Sequence, residues 1–434
     1  MFISALISRI LVVGLFALNP CSGSFQPSGA LFQNPVTLAP GFSAQVLFSN
    51  LTLPRGITFD SANNLLVVEH GVGVTAFVEA LNRTGWERTI VVPSVNFTQG
   101  IQVDGSQLYV STPGEVLLFN YDATTKTVRG QPQTIINGLP PDGDLTTHTL
   151  QIESTPQGNN LLVASGPFTN IDPTARNSSS GRSQIRRFSL PAWGGGAAPQ
   201  QYLDGELIAF GIRNPAGFAF HPTDSATLFA VENGASIDNV TGLTAKFVND
   251  NPADELESVN LLRPAISYGF PDCTTLWNPL ADPVGDPQYT RLSRGDQISL
   301  LLEPGRGEDF CRDIQNNQPP ILSFQAHSVP LDIKFYLPPS QHPPHAFPSA
   351  YQGDAFVSFH GSFDRIPPTG YGVIHIPFSG SGPKSSNYTF LIQVADLTPC
   401  PGQCIRPVGL AFGPDGRLYI SSDSSGELFV LEAT

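Results

Sequence analysis

An all-β, six-bladed propeller made of one closed domain is the fold class this 434-residue chain predicts. Three observations carry that reading. A unit of polar residue, alternating apolar run, turn and second apolar run occurs six times. Helix signals are nearly absent. With 41 Gly, 40 Pro and only 13% charged residues, the composition is that of a loop-rich β protein.

The clearest copy is GIRNPAGFAFHPTDSATLFAVENGAS, 211–236. It divides into a turn holding Arg213 and Asn214, a strand (AGFAFHP), a tight turn (TDSA) and a second strand running into a glycine. The other copies lie at 53–71, 98–112, 147–166, 328–361 and 406–423. Alternation with period two marks a half-buried strand, and the Gly, Asp and Asn turns suit hairpins. One hairpin is marginal alone, so the copies must bury one another's faces. Six of them make six four-stranded antiparallel blades around an axis.

In chain order, residues 1–20 (MFISALISRILVVGLFALNP) carry a short apolar run with one Arg before small and polar residues, the pattern of a secretory signal peptide. Cleavage is expected between 17 and 24, leaving a single domain over 22–434. Residues 22–40 read as an extended arm. FSAQVLF at 42–48 alternates, and is expected to pair with ELFVLEA near the C-terminus and so close the last blade. Blade one is placed at 53–80, blade two at 90–137, and blade three from His148 to the strand SQIRRFSLPA, with a long loop at 166–181. GGGAAP at 194–199 is a link, and blade four is the 211–236 unit with its neighbours. The irregular 233–320 stretch is too long for an idle loop; it reads as insertion loops plus outer strands covering the channel mouth. Blade five is placed at 327–378, with a Pro-rich loop at 338–348, and blade six at 404–431.

Net charge is −14 with a pI near 4.9, which makes nucleic acid and anionic membrane poor partners. No segment after the leader is long and apolar enough to span a bilayer. Six N-x-S/T sequons, at Asn50, Asn82, Asn96, Asn177, Asn239 and Asn387, fit a secreted, extracellular glycoprotein. Of five cysteines, Cys21 stands at the leader boundary. The other four allow three pairings; Cys273–Cys311 across the insertion and Cys400–Cys404 before the last blade are favoured. No cysteine spacing matches a zinc or iron–sulfur site. A monomer is expected.

Equivalent positions of radial blades face one channel. Just before the inner strands stand Arg55, Gln99, His148, Arg213 with Asn214, His327 with Ser328, and Arg406. Solvated loop ends would also give such a ring; the sharper reading is an axial pocket for an anionic, flat or polyhydroxylated ligand. His148 near arginines suits a general base, since imidazole titrates near neutrality; a structural hydrogen bond is its ordinary alternative. Arg213, Asn214 and Arg406 suit clamping of carboxylates, with Arg365 as a further positive group and Lys334 as a weak one. ENGAS, 232–236, can aim backbone carbonyls at a hard cation such as Ca²⁺. Asp254, Glu255 and Glu257 are alternative acidic ligands, although a solvated turn is the commoner fate of such a cluster. The fingerprints of NAD, ATP, serine-hydrolase and zinc-protease sites are absent.

GIRNPAGFAFHP with LFAVENG resembles the GxRNPxGxAF…L(W/Y)V(T/S)E(H/N)G signature of quinoprotein sugar dehydrogenases, the soluble glucose and sorbosone dehydrogenase-like six-bladed propellers. HTLQIESTPQGNNLLVASG is similar to their blade with the catalytic histidine, and DEL at 254–256 with YGFP at 268–271 to their DEL(N)…YGWP stretch. The leader and sequons add a likeness to the fungal secreted pyranose dehydrogenase group. The resemblance implies a pyrroloquinoline quinone (PQQ) cofactor with Ca²⁺ held by the carbonyls of Gly234 and Ala235. Proline is common at the second of these places, a departure that a backbone ligand tolerates. It implies His148 as base and Arg213 as charge stabiliser, with Arg55, Gln99, Asn214, His327, Arg365 and Arg406 around the cofactor. A monosaccharide would be oxidised at C1 to the lactone. Electrons would pass to an external acceptor, a small molecule, a secreted cytochrome or an electron-accepting oxidative enzyme. Two other classes compete. One is a Ca²⁺-dependent propeller lactonase or esterase, which needs side-chain carboxylates converging on the metal. The other is a non-catalytic extracellular propeller binding glycans or proteins.

Overall fold

The computed structural model describes residues 23–80, 84–190, 194, 198–341 and 343–434. The expected leader, Cys21 and the Asn82 sequon lie outside the described residues. Six antiparallel sheets stand around an axis. Their innermost strands are Pro54–Phe59, Ile101–Asp104, Leu150–Thr155, Pro215–His221, Pro330–Phe335 and Pro407–Phe412, each packed beside the next around the ring. Three of them contain a glycine, Gly56, Gly217 or Gly409, and Gly100 directly precedes a fourth; at each a Cβ would collide with the backbone of the neighbouring blade. The missing side chain is what lets the inner strands approach closely.

Period-two patterning builds the core. In the second strand of blade one, Leu65 and Val67 pack against blade six, whereas Leu66 and Val68 pack against blade two. The same division repeats, so that six apolar layers fill the six gaps between blades. Phe42–Phe48 pairs antiparallel with Glu427–Ala433, Val46 opposite Phe429, and closes blade six as the alternation predicted. Burying both faces of every blade is the dominant stabilising term in such a ring.

Four blades carry a short fifth strand that the repeat did not reveal. Within the predicted arm, Ser24–Pro27 adds to blade one and Val36–Leu38 to blade five. The outer strand of blade five, Thr389–Val394, lies beyond its expected 378 limit, because the small Phe378–Ser379/Gly382–Pro383 hairpin intervenes.

The 233–320 stretch supplies Asp254–Asn260, third strand of blade four, and Ile266–Ser267, an edge of blade three. The rest folds over the channel end as a lobe with its own core of Phe247, Phe270, Leu276, Tyr289 and Ile298. Cys273–Cys311 ties that lobe, and Cys400–Cys404 closes a small loop before blade six. Asp254, Glu255 and Glu257 are not a solvated turn: they stand in a strand and are buried. A cluster of acids reads as surface in a sequence, whereas here neighbouring strands cover it. Among the described residues no helix is long and apolar enough to cross a membrane.

Candidate active site

The axial end beneath this lobe holds a cavity of about 430 Å³. Its walls combine apolar Leu145, Val329 and Phe363 with charged Arg213, Asp254 and His327. The turn from Asn233 to Ser236, which ends the second strand of blade four, forms one side. Gly234 and Ala235, expected at a metal, are therefore at the cavity.

Arg213 enters from the turn before the innermost strand of blade four and is only 7% exposed. Its Nη1 donates to the carbonyls of Asn233 (3.1 Å) and Gly234 (3.2 Å), and its Nε and Nη2 donate to the Asn170 carbonyl (2.9 Å) and Oδ1 (3.1 Å). A planar fork with this many donors welds two loops together, which a lysine cannot do. Asn214 stands behind, fully buried, donating to Asn233 Oδ1 at 2.7 Å. Asp254 accepts the N–H groups of Gly234 (2.8 Å) and Val329 (2.7 Å), linking blade four to blade five. Burial pushes its carboxyl up to about 6, against the opposing pull of those two N–H groups.

His327 faces the cavity with Nε2 on the Val248 carbonyl at 3.0 Å and Nδ1 on Asp364 Oδ1 at 3.2 Å. Burial works against its charged form, but Asp364 outweighs burial and raises its pKa. Both ring nitrogens face acceptors, an arrangement that favours the charged form of His327. Asp364 also accepts from Ser236 Oγ at 3.2 Å, so His327 and Asp364 brace the turn opposite Arg213.

His148 is elsewhere. It sits in the left-handed region (φ 45°) and is 1% exposed. Its Nδ1 lies 3.1 Å from the Ala164 carbonyl and its Nε2 2.9 Å from the Pro113 carbonyl. Burial drives its pKa down, so the ring is neutral and has one N–H for two carbonyls. Whichever nitrogen lacks the proton opposes a carbonyl lone pair.

Arg55, Gln99 and Arg406 form a second cluster. Arg55 bridges Asp423 Oδ2 (2.6 Å) and Gln99 Oε1 (2.7 Å). His360 Nε2 meets Asp423 Oδ1 at 2.8 Å, while Arg406 donates to the His360 and Gly361 carbonyls. Gln99 donates to the Ala216 carbonyl at 2.9 Å and joins the cluster to the start of blade four. Arg365 departs from expectation. It pairs with Asp250 at 2.6 Å and donates to the Pro367 carbonyl, so its charge serves the rim. Lys334 pairs with Asp332 at 2.6 Å lower in the channel.

Sequence reasoning missed Asn170, Asp364, Asp423 and His360. Asn170 lies in an aperiodic loop, and its role comes only from where Arg213 reaches. Asp364 adjoins Arg365, the residue of that stretch which the sequence reading singled out instead. Asp423 and His360 directly follow the second strands of blades six and five, one residue beyond the place that Glu69 and Glu232 hold in other blades.

Axial cavity, clamped turn and buried arginine on a closed six-bladed ring define the class: a propeller whose ligand site lies at one end of its channel. The chain belongs to the TrAA12-like family, whose model matches residues 36–434. A PQQ-dependent sugar dehydrogenase of Hypocrea jecorina is 34% identical over 405 residues, covering 91% of this chain and 88% of that protein. A PQQ-dependent pyranose dehydrogenase of Coprinopsis cinerea is 30% identical, and the match covers 95% of this chain but 56% of that longer protein. The calcium structure of a Trichoderma reesei family AA12 carbohydrate-active enzyme superposes with a TM-score of 0.82 at 32% identity, covering 94% of this chain and 98% of that one.

Proposed function

We propose that the protein is a quinoprotein sugar oxidoreductase that binds PQQ and Ca²⁺ in the axial cavity and oxidises the C1 hydroxyl of a pyranose to the lactone. The observation that carries this reading is the cavity wall itself, in which a buried guanidinium and an imidazole face apolar surfaces beside a turn of backbone carbonyls. Such a wall suits a flat aromatic polyanion. Asp144, Asp254 and Asp364 line the same cavity, and their negative charge calls for a cation between them and the anion. The Gly234 and Ala235 carbonyls would supply oxygen ligands to it. Arg213 uses one lone pair of the Gly234 carbonyl; the second remains for a metal.

When bound, the calcium–quinone pair supplies the acceptor for the two electrons that leave C1. Arg213 holds fixed positive charge at the cavity, where preorganised charge costs nothing at the moment of reaction. Arg55, Gln99 and Arg406, tied to the start of blade four by the Gln99–Ala216 hydrogen bond, would anchor the cofactor side. His327 has no free lone pair and is not the base. His148 takes the hydroxyl proton: its ring exchanges the Pro113 carbonyl for the sugar hydroxyl, which replaces an opposed pair of acceptors with a donor and an acceptor. The electrons then pass to an external acceptor. A leader, six sequons and two disulfides support a secreted enzyme.

His148→Ala should lower kcat by roughly 10²–10⁴-fold, the usual contribution of a general base, while PQQ affinity stays within about threefold of wild type (a change in Kd worth under ~0.7 kcal/mol). Steady-state dye reduction and fluorescence titration separate the two. Unchanged kcat would remove His148 from the chemistry.

A further inference from the structure

Behind the turn that walls the cavity lies a second constellation. Glu232 ends the second strand of blade four, Glu255 pairs with it across the ladder, and Glu257 stands two residues on, on the same face. All three are buried, and one ligand oxygen from each lies within 4.8 Å of the others. Glu232 Oε1 accepts the Arg213 backbone N–H at 2.7 Å. Glu232 Oε2 and both oxygens of Glu257 have no hydrogen-bond partner. The positive charge of Arg213 acts on Glu232, but its guanidinium hydrogen bonds go to Asn170 and to the carbonyls of Asn233 and Gly234 rather than to the three acids. Glu232 and Glu255 line a void of about 10 Å³ with Tyr268 and Gln297, and Gly234 and Ala235 close it on the cavity side. A void of that size holds an ion or one water, not a ligand.

Three buried carboxylates beside a single arginine are a costly arrangement for a core. Glu232, whose Oε2 has no partner, lines this ion-sized void with Glu255, and the unpartnered Glu257 stands within ligand reach of both, an arrangement that asks for a shared ligand. The set is all oxygen, which selects a hard cation. Its spread suits calcium, whose bonds of about 2.4 Å let opposed ligands stand nearly 5 Å apart; magnesium, at about 2.0–2.1 Å, demands a tighter cage. We propose that Glu232, Glu255 and Glu257 hold a buried structural calcium ion, separate from any cation in the cavity, which fixes the Gly234–Ala235 turn from behind. The alternative occupant of the cluster is a pair of shared protons.

The test counts metal in the full-length protein purified without quinone, so its outcome does not depend on the quinone reading. After chelation and dialysis against calcium, elemental analysis should find a tightly held calcium in each chain, and the melting temperature should rise with calcium concentration as mass action requires. Glu257→Gln should lose that ion and the calcium dependence of melting together. A wild-type chain that binds no calcium and melts indifferently to it would overturn the proposal, as would a Glu257→Gln chain that keeps the full count. Should that variant not fold, anomalous diffraction from calcium-soaked wild-type crystals decides: a peak among the three carboxylates supports the site, and its absence defeats it.

Discussion

Arg213 shows how much one side chain can organise here. It holds the Asn170 loop to the cavity turn through four hydrogen bonds. Arg213→Lys keeps the charge and loses the fork. It should cost about 1–3 kcal/mol, the range for hydrogen bonds to a charged group, and reduce kcat/KM by roughly tenfold or more, since 1.4 kcal/mol is a factor of ten. Thermal melts and steady-state rates check both. Asp423 offers a pH signature in the neighbouring cluster. Burial alone would raise its pKa, but His360 and Arg55 outweigh burial and hold it well below the carboxylate range. His360 is itself lowered by burial, so it serves as a neutral N–H donor and the fixed charge is that of Arg55. A depressed carboxyl contributes stability above its unfolded value, near 3.8, and that contribution is lost as pH falls toward the folded value. Asp423→Asn should therefore be less stable than wild type at neutral pH, with the gap closing as the pH drops below 3.8. Urea melts across that range measure it; a gap that widens with acid would contradict the assignment.

At the scale of elements, the lobe over the channel is the part most open to dissection. Cys273–Cys311 spans 38 residues and joins a strand to a short helix in that lobe. Replacing both cysteines by serine should cost about 2–4 kcal/mol, the usual range for removing such a link, and the loss should be local. Hydrogen exchange should accelerate across 270–311 while the inner strands of the blades stay protected. The lobe also marks the limit of what the sequence discloses. Blades were legible because alternation, turn residues and polar strand starts recur together, and the 42–48 strand was legible because its alternation matched that of the C-terminal strand. The short fifth strands were not, because two to four residues carry no period. Asp254, Glu255 and Glu257 were misjudged as surface because charge dominates a local reading, while burial depends on which strands lie alongside.

For the whole molecule, closure is the governing fact. Six apolar layers between blades and a sixth blade assembled from both chain ends make the ring one cooperative body. Its axis collects side chains as far apart in sequence as Arg55 and Asp423, 368 residues from one another. Of the ring the repeat named, Arg213 and His327 line the cavity, beside the Gly234 and Ala235 that the resemblance pointed to. It could not say that Arg365 would turn to Asp250 or that His148 would face two carbonyls, because side-chain direction is decided by partners from other blades. The central claim concerns the cavity, and the most direct measurement is calorimetric titration of metal-stripped protein with PQQ, with and without Ca²⁺, followed by dye reduction with a panel of aldoses. Stoichiometric, calcium-dependent binding that brings aldose-driven dye reduction is the predicted result. A protein that binds no PQQ under either condition would contradict the account.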